Sequence, residues 1–269
     1  INPATEAPTI EVPMATAADV NAAILAARKA FDEGPWPRLP AKERQRVLEK
    51  AADLMEARAY ELALCETLDM GKAIYFAEHI DVRIMAGLLR YYAGQATALE
   101  GATRIVHPAP DFKPMTAMVI REPVGVVAMI TPFNFPLLQA GAKIAPALAA
   151  GNTIVHKPAS ATPLSAFKMA EILEEVGLPA GVYNVVTGPG AVVGDAMVLH
   201  PAVNKVSFTG STEVGQQIIR QSAATVKKLT MELGGKSAHI VFADADMEAA
   251  VKNAFFGIFY NMGEICTAG

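Results

Sequence analysis

Two cysteines, Cys65 and Cys266, are all that the 269 residues contain. A disulfide framework is thereby excluded, and a reducing, cytoplasmic compartment is expected. No apolar run reaches the roughly 20 residues that a membrane-spanning helix needs, so no membrane partner is expected. Positive charge is short as well. With 23 Lys and Arg against 27 Asp and Glu the net charge is −4, which excludes a basic protein that holds nucleic acid by neutralising phosphates. Charged residues make up only 19% and hydrophobic ones 52%, the reverse of a disordered composition. The five histidines (79, 107, 156, 200 and 239) form no metal-spaced cluster. CxxC, HExxH and Gly-x-Ser-x-Gly are all missing, so neither a metal site nor a serine elbow is expected. The chain opens on Ile1 with no signal-peptide pattern, and it closes Gly263-Glu264-Ile265-Cys266-Thr267-Ala268-Gly269 with no polar tail. Those ends predict a fragment, cut on both sides.

What is there reads as an α/β chain. Thr16-Ala17-Ala18-Asp19 resembles a capping box and starts a helix that runs to about Phe31. Residues 41 to about 69 predict one long helix or two abutting ones, and a further helix covers roughly 76 to 98. Thr103 to Arg121 changes character: β-rich stretches flank Pro108, Pro110 and Pro114, which predicts a hairpin. From Gly125 short apolar runs alternate with helical patterns. Strands are expected at 126–130, 153–156, 182–186, 205–208, 227–233 and 238–242. Helices fall between them near 137–150, around Met169 to Val176, at 191–199 and 212–223, with a last one from Asp246 towards Tyr260. Strands that are apolar on both faces predict a parallel sheet covered on both sides.

In such sheets ligands bind at the carboxyl ends of the strands. The turn Thr209-Gly210-Ser211-Thr212-Glu213-Val214-Gly215 opens a helix, and its glycines would admit a phosphate to backbone N–H groups; an ordinary βα turn has the same composition. It is no Walker A loop, and Gly235-Lys236-Ser237 is none either, because Thr230 holds the position of the upstream glycine. Gly188, Gly190 and Gly194 make a second glycine loop, one residue too long for the dinucleotide fingerprint. Lys157 ends a strand where a polyanion would sit. Asn134, between two aromatics and two prolines, is either a turn asparagine or a rigid oxyanion donor. Cys65 fits a helix interior, whereas Cys266 lies in a loop of small residues beside an acid. Glu232 sits in an apolar strand end, where desolvation would raise its pKa.

Five stretches are jointly recognisable: Thr131–Pro136, Lys143–Pro158, Phe208–Gly215, Met231–Ser237 and Gly263–Gly269. In this order they resemble the NAD(P)-dependent aldehyde dehydrogenase superfamily, and the likeness runs from Asn2 to the end of the chain. The 34-residue separation of Glu232 and Cys266 also matches that family. The resemblance implies a Rossmann-like parallel sheet with helices on both faces, N-terminal helices, a protruding β-hairpin and the start of a second α/β domain. It assigns residues 1–102 and 122–233 to the cofactor domain, 103–121 to an oligomerisation hairpin and 234–269 to the start of the catalytic domain. Cys266 resembles the nucleophile, Glu232 the general base and Asn134 the oxyanion donor. For NAD or NADP the matching positions are Ile130, Thr131, Pro132, Phe133, Lys157, Ser160, Gly190, Phe208, Thr209, Gly210, Ser211, Val214, Leu233 and Gly234. The implied substrate is a small-molecule aldehyde, oxidised to its acid, and the implied full-length assembly is a homodimer or homotetramer.

Several positions depart from the family pattern. Ser160 stands where NAD-preferring relatives often carry Glu, which leaves room for the 2′-phosphate of NADP. Phe133 replaces a frequent Trp. Gln139 and Ala142 predict a wider, more polar substrate tunnel, shaped also by Ile265 and Thr267. Relatives continue well past the cysteine, so this chain alone is expected to be inactive or nearly so. Two other readings stand beside this one, a non-catalytic nucleotide-binding protein and an acyl-CoA-forming relative. The presence of Asn134, Glu232 and Cys266 together argues against the first, and Glu232 against the second.

Overall fold

The computed structural model of the chain describes residues 1–107 and 109–268. Helix α1 (Ala17–Asp32) begins at the expected capping box. The Asp19 N–H donates to Thr16 Oγ1 at 3.3 Å, and the Thr16 N–H donates to Asp19 Oδ2 at 2.8 Å. The long helical stretch is two abutting helices, α2 (Ala41–Ala57) and α3 (Ala59–Met70). Gly71 closes α3 at φ +81°, a left-handed conformation that suits glycine. A single turn, α4 (Ile74–Phe76), and a π-helical turn over Ala77–Asp81 lead into α5 (Val82–Ala96). The fully buried Asp81 lies in that π turn, whose wider winding a sequence pattern does not reveal. The hairpin is β1 (Ala102–Val106) paired antiparallel with β2 (Met115–Val119), and every residue of both strands is exposed.

The main sheet contains β3 (Val126–Ile130), β4 (Thr153–Lys157), β5 (Tyr183–Val185), β6 (Lys205–Gly210) and β7 (Lys228–Leu233). Their spatial order is β5-β4-β3-β6-β7, all parallel. The connecting helices are α6 (Pro136–Ala149), α7 (Leu164–Glu175), α8 (Asp195–Leu199) and α9 (Thr212–Ser222). Because side chains alternate along a strand, β3 sends Met129 into one core and Val126 and Ala128 into the other. The first core is completed by α2, α5, α6 and α7 around Trp36, Leu89, Ile144 and Leu148, the second by α1, α8 and α9 around Ile24, Met197 and Ile218. Both faces are therefore covered, which is why β3 reads as a continuous apolar run and every residue of β4 is buried.

Two expectations fail. The stretch 238–242 forms no strand: it has no paired neighbour, and Ile240 and Phe242 are exposed. An apolar β-branched run becomes a strand only where another strand accepts its ladder. The helix expected at 191–199 is split, starting as a π turn over Gly190–Gly194 before α8. The last helix, α10 (Met247–Phe259), is capped by Asp246, whose Oδ1 accepts the Glu248 and Ala249 N–H groups.

Candidate active site

The order of strand addition reverses at β3, since β4 and β5 build outward on one side and β6 and β7 on the other. A crevice opens at such a switch point, outside the carboxyl ends of the strands. A cavity of about 330 Å³ lies there, lined by Ile130, Lys157, Gly190, Phe208 and Val214, with Ala191, Gly194, Asp195, Val198, Gln217 and Ile218 from the π turn and the helices α8 and α9. Lys157 is buried, which lowers its ammonium pKa, and its Nζ donates to the Pro158 carbonyl at 3.1 Å. Behind it the buried His156 holds Thr131 and Tyr183 together, with Nε2 2.9 Å from Thr131 Oγ1 and Nδ1 2.7 Å from Tyr183 Oη. Burial pushes that imidazole down to about 3, so it is neutral. Gly210 ends β6 half-buried, and a Cβ there would meet the Phe208 ring at 2.4 Å; only glycine lets the strand end pass over that ring. Ser211 caps α9, its Oγ accepting the Val214 N–H at 3.3 Å.

A second cavity, about 340 Å³, opens on the opposite sheet face. Ser207 and Thr209 of β6 and Thr230 and Glu232 of β7 form its floor, in the register Ser207↔Thr230 and Thr209↔Glu232. Gln139, Ala142 and Lys143 come from α6, Leu233 from the end of β7, and Cys266 and Thr267 from the loop beyond α10. The structure thus brings Glu232 and Cys266 into one cavity. Glu232 is exposed there, not desolvated as its apolar neighbours suggested. Those neighbours, Met231 and Leu233, point to the other face of an edge strand, as the two-residue period requires. Cys266 is an exposed free thiol; Cys65 is half-buried in α3, where burial pushes its thiol up to about 11.

Asn134 reaches the Cys266 loop without lining that cavity. Its Nδ2 donates to the Glu264 carbonyl at 2.8 Å, two residues before Cys266. Pro132 and Phe133 lie on the same β3–α6 loop, Phe133 about half exposed. Ser160 is not among the residues lining the first cavity; its Oγ donates to the Gly188 carbonyl at 2.9 Å. Gly234 is exposed just past β7.

Three residues that sequence patterns did not single out belong to this arrangement. Lys143 is a buried ammonium that makes no hydrogen bond or ion pair among the described residues. Burial lowers its pKa, and the Glu232 carboxylate opposes that shift. A cation one position before the core residues Ile144 and Ala145 was the available signal. Asn261, fully buried, donates from Nδ2 to the carbonyls of Asn134 (2.8 Å) and Glu264 (2.9 Å). Lys72, fully buried, pairs with Asp81 and lies 4.1 Å from the centre of the Phe135 ring and 5.7 Å from that of Tyr260. No local pattern marks either of the last two, because Asn134 lies 127 residues from Asn261 and the Phe135 and Tyr260 rings lie far from Lys72 in sequence.

A sequence model of the aldehyde dehydrogenase family matches residues 1–269. A phenylacetaldehyde dehydrogenase of Pseudomonas fluorescens is 49% identical over 269 residues, covering all of this chain and 54% of that protein. A betaine aldehyde dehydrogenase of Bacillus subtilis is 47% identical, over 93% of this chain and 50% of its own length. Among solved structures, an aldehyde dehydrogenase from Bacillus cereus in complex with NAD⁺ superimposes with a TM-score of 0.94 at 46% identity, covering the whole chain and 54% of that one. The chain belongs to the aldehyde dehydrogenase family. It spans about half the length of the curated relatives it matches.

Proposed function

We propose that the complete protein oxidises an aldehyde to its carboxylic acid, with Cys266 as nucleophile and NAD or NADP as hydride acceptor. The observation that carries this is the meeting of Cys266 and Glu232 in one cavity at the ends of β6 and β7, with Asn134 tied to the cysteine loop.

The first cavity fits a dinucleotide. Ile130, Val198, Phe208 and Ile218 offer apolar walls to a planar base, Lys157 brings a cation to the ribose, and Gly190 leaves open space at the rim. The α9 N-terminus and the bare Gly210 backbone lie where a phosphate would pass from this face of the sheet towards the other. Thr131, Pro132, Phe133, Ser160, Thr209, Ser211, Leu233 and Gly234 border that path. Ser160 places no carboxylate against a 2′-phosphate, so both cofactors are admitted. When bound, the nicotinamide supplies the site that takes up hydride.

The residues of this chain do the rest. The Cys266 thiolate adds to the aldehyde carbon, forming a C–S bond and an alkoxide. One Asn134 N–H and the Cys266 backbone N–H hold that oxygen anion. Loss of hydride leaves a thioester on Cys266. Glu232 then takes a proton from water, whose oxygen attacks the thioester carbon; the C–S bond breaks and the acid leaves. Lys143 lines the same cavity as Glu232 and places a cation on its substrate side. Gln139, Ala142 and Thr267 give the substrate side a partly polar wall. The exposed apolar residues of the hairpin, Ile105, Met115 and Met118 among them, suit pairing with a second copy in a homodimer or homotetramer.

The test is turnover of an aldehyde panel by the complete gene product, followed by the absorbance of reduced nicotinamide. Cys266→Ala is expected to lower kcat by at least ~10³-fold with cofactor affinity retained. Full activity in that variant overturns the assignment.

A further inference from the structure

We propose that Asn261 is a positioning residue that locks the oxyanion loop to the nucleophile loop, acting through Asn134; this rests on the roles given above to Asn134 and Cys266. Four hydrogen bonds converge on a very small region. The Glu264 carbonyl accepts from the side-chain amides of both Asn134 and Asn261, so both of its lone pairs are engaged. The second Asn261 N–H goes to the Asn134 carbonyl. The Glu264 N–H returns to the Asn261 carbonyl at 2.9 Å, closing the turn after α10. Each amide therefore fixes the backbone of the loop that carries the other. The Asn134 side chain is held by one N–H on Glu264, and its second N–H makes no hydrogen bond among the described residues; that is the donor left for an oxyanion.

A second observation points the same way. Phe135 follows Asn134, Tyr260 precedes Asn261, and both rings lie against the one buried Lys72 ammonium, with centroids 5.8 Å apart. The two loops are thus clamped at neighbouring residues by amide hydrogen bonds in front and by a shared cation behind. Asn261 contributes two donors to backbone carbonyls and leaves its own Oδ1 buried without a partner. A side chain placed only to cap a turn has no use for the carbonyl of a loop 127 residues away. Oxyanion donors need placement to within a few tenths of an ångström, which a loop alone does not provide.

The experiment is a double-mutant cycle in the complete gene product with its best aldehyde, reading kcat, the cofactor KM and Tm. Asn134→Ala is expected to lower kcat by about 10²-fold. Asn261→Ala is expected to lower it ~10- to 30-fold with little change in cofactor KM, and by less than ~3-fold when Asn134 is already Ala, because its effect runs through that amide. Equal fold losses in both backgrounds, or a kcat for Asn261→Ala within ~3-fold of the parent, overturn the proposal while leaving the role of Asn134 intact. A parent-like kcat in Asn134→Ala overturns the oxyanion role itself and the proposal with it. Should Asn261→Ala not fold, the volume-conserving Asn261→Asp, which lacks both N–H donors, carries the same cycle with the same criteria.

Discussion

Of the 14 residues of α6, nine are buried; of the 13 of α10, none is. Both helices are rich in apolar residues, and both lead to the candidate site, α6 away from Asn134 and α10 towards Cys266. Helix α6 is fixed by area: Leu137, Ile144 and Leu148 sit in the core shared with α2, α5 and the sheet. Its N-terminus is also capped from another element, since the Leu137 N–H donates to the buried Glu66 of α3 at 3.1 Å. The α10 end is fixed by a few specific contacts, the Asn261 amide and the stacking of Phe256 and Tyr260 at 5.0 Å with Lys72 beneath. The α6 side of the site is built like a domain interior, the α10 side, which leads to Cys266, like a clasp. A clasp of few contacts is where single substitutions should have the largest consequences.

Lys72 tests that most severely. Lys72→Met leaves the Asp81 carboxylate buried and unpaired, which should destabilise the fold by about 3–5 kcal/mol, measured by denaturant unfolding. Lys72→Met with Asp81→Leu removes both charges and should regain most of that stability. Turnover should not return with it, because the Phe135 and Tyr260 rings have lost their common cation. Recovery of both together would mean that the clasp contributes stability alone.

The double-covered sheet was legible in the sequence because burial on both faces writes itself as uninterrupted apolar strands, and the capping box at Thr16 is a purely local signal. The hairpin was legible from its prolines and β-rich flanks. Residues 238–242 misled for the complementary reason: Ile240, Val241 and Phe242 have strand chemistry, but strand formation depends on a partner that local pattern does not specify. Glu232 misled because its neighbours in sequence point to the opposite face of β7. The motifs that carry the family resemblance name candidate residues in chain order, and the fold brings two of them, Glu232 and Cys266, into one cavity. They did not disclose Lys72, Lys143 or Asn261, whose significance lies in which distant elements they touch.

A smaller effect separates the two regions by pH. Burial pushes Glu66, at the start of α6, up to about 7, above its ordinary value of 4.5. The folded state then holds that proton more tightly than the unfolded chain, so the contribution to stability is full below about pH 4.5 and falls as pH rises to about 7. The total is roughly 3 kcal/mol or slightly more. Glu66→Gln keeps an acceptor for the Leu137 N–H and cannot ionise. It should therefore raise Tm at pH 8, with the difference from the parent closing by pH 4. A gap independent of pH would show that the Glu66 carboxyl does not titrate across this range.

The smallest effect is expected on the outward face of α10. Met247, Val251, Phe255 and Phe259 recur every four residues and form an exposed stripe, Phe255 with 64% of its surface accessible. In the 269-residue chain Phe255→Ala should change stability by no more than about 0.5 kcal/mol, since little apolar area leaves a buried environment. The same substitution in the complete gene product discriminates between two accounts of the contrast with α6. A cost near 3 kcal/mol there would mean that further protein covers the stripe, as core burial of a phenylalanine requires. The clasp at Asn261 would then be one of two anchors for α10. A cost that stays near zero would leave the clasp as the principal attachment of the Cys266 loop, and the ~10- to 30-fold effect expected for Asn261→Ala would become a lower bound.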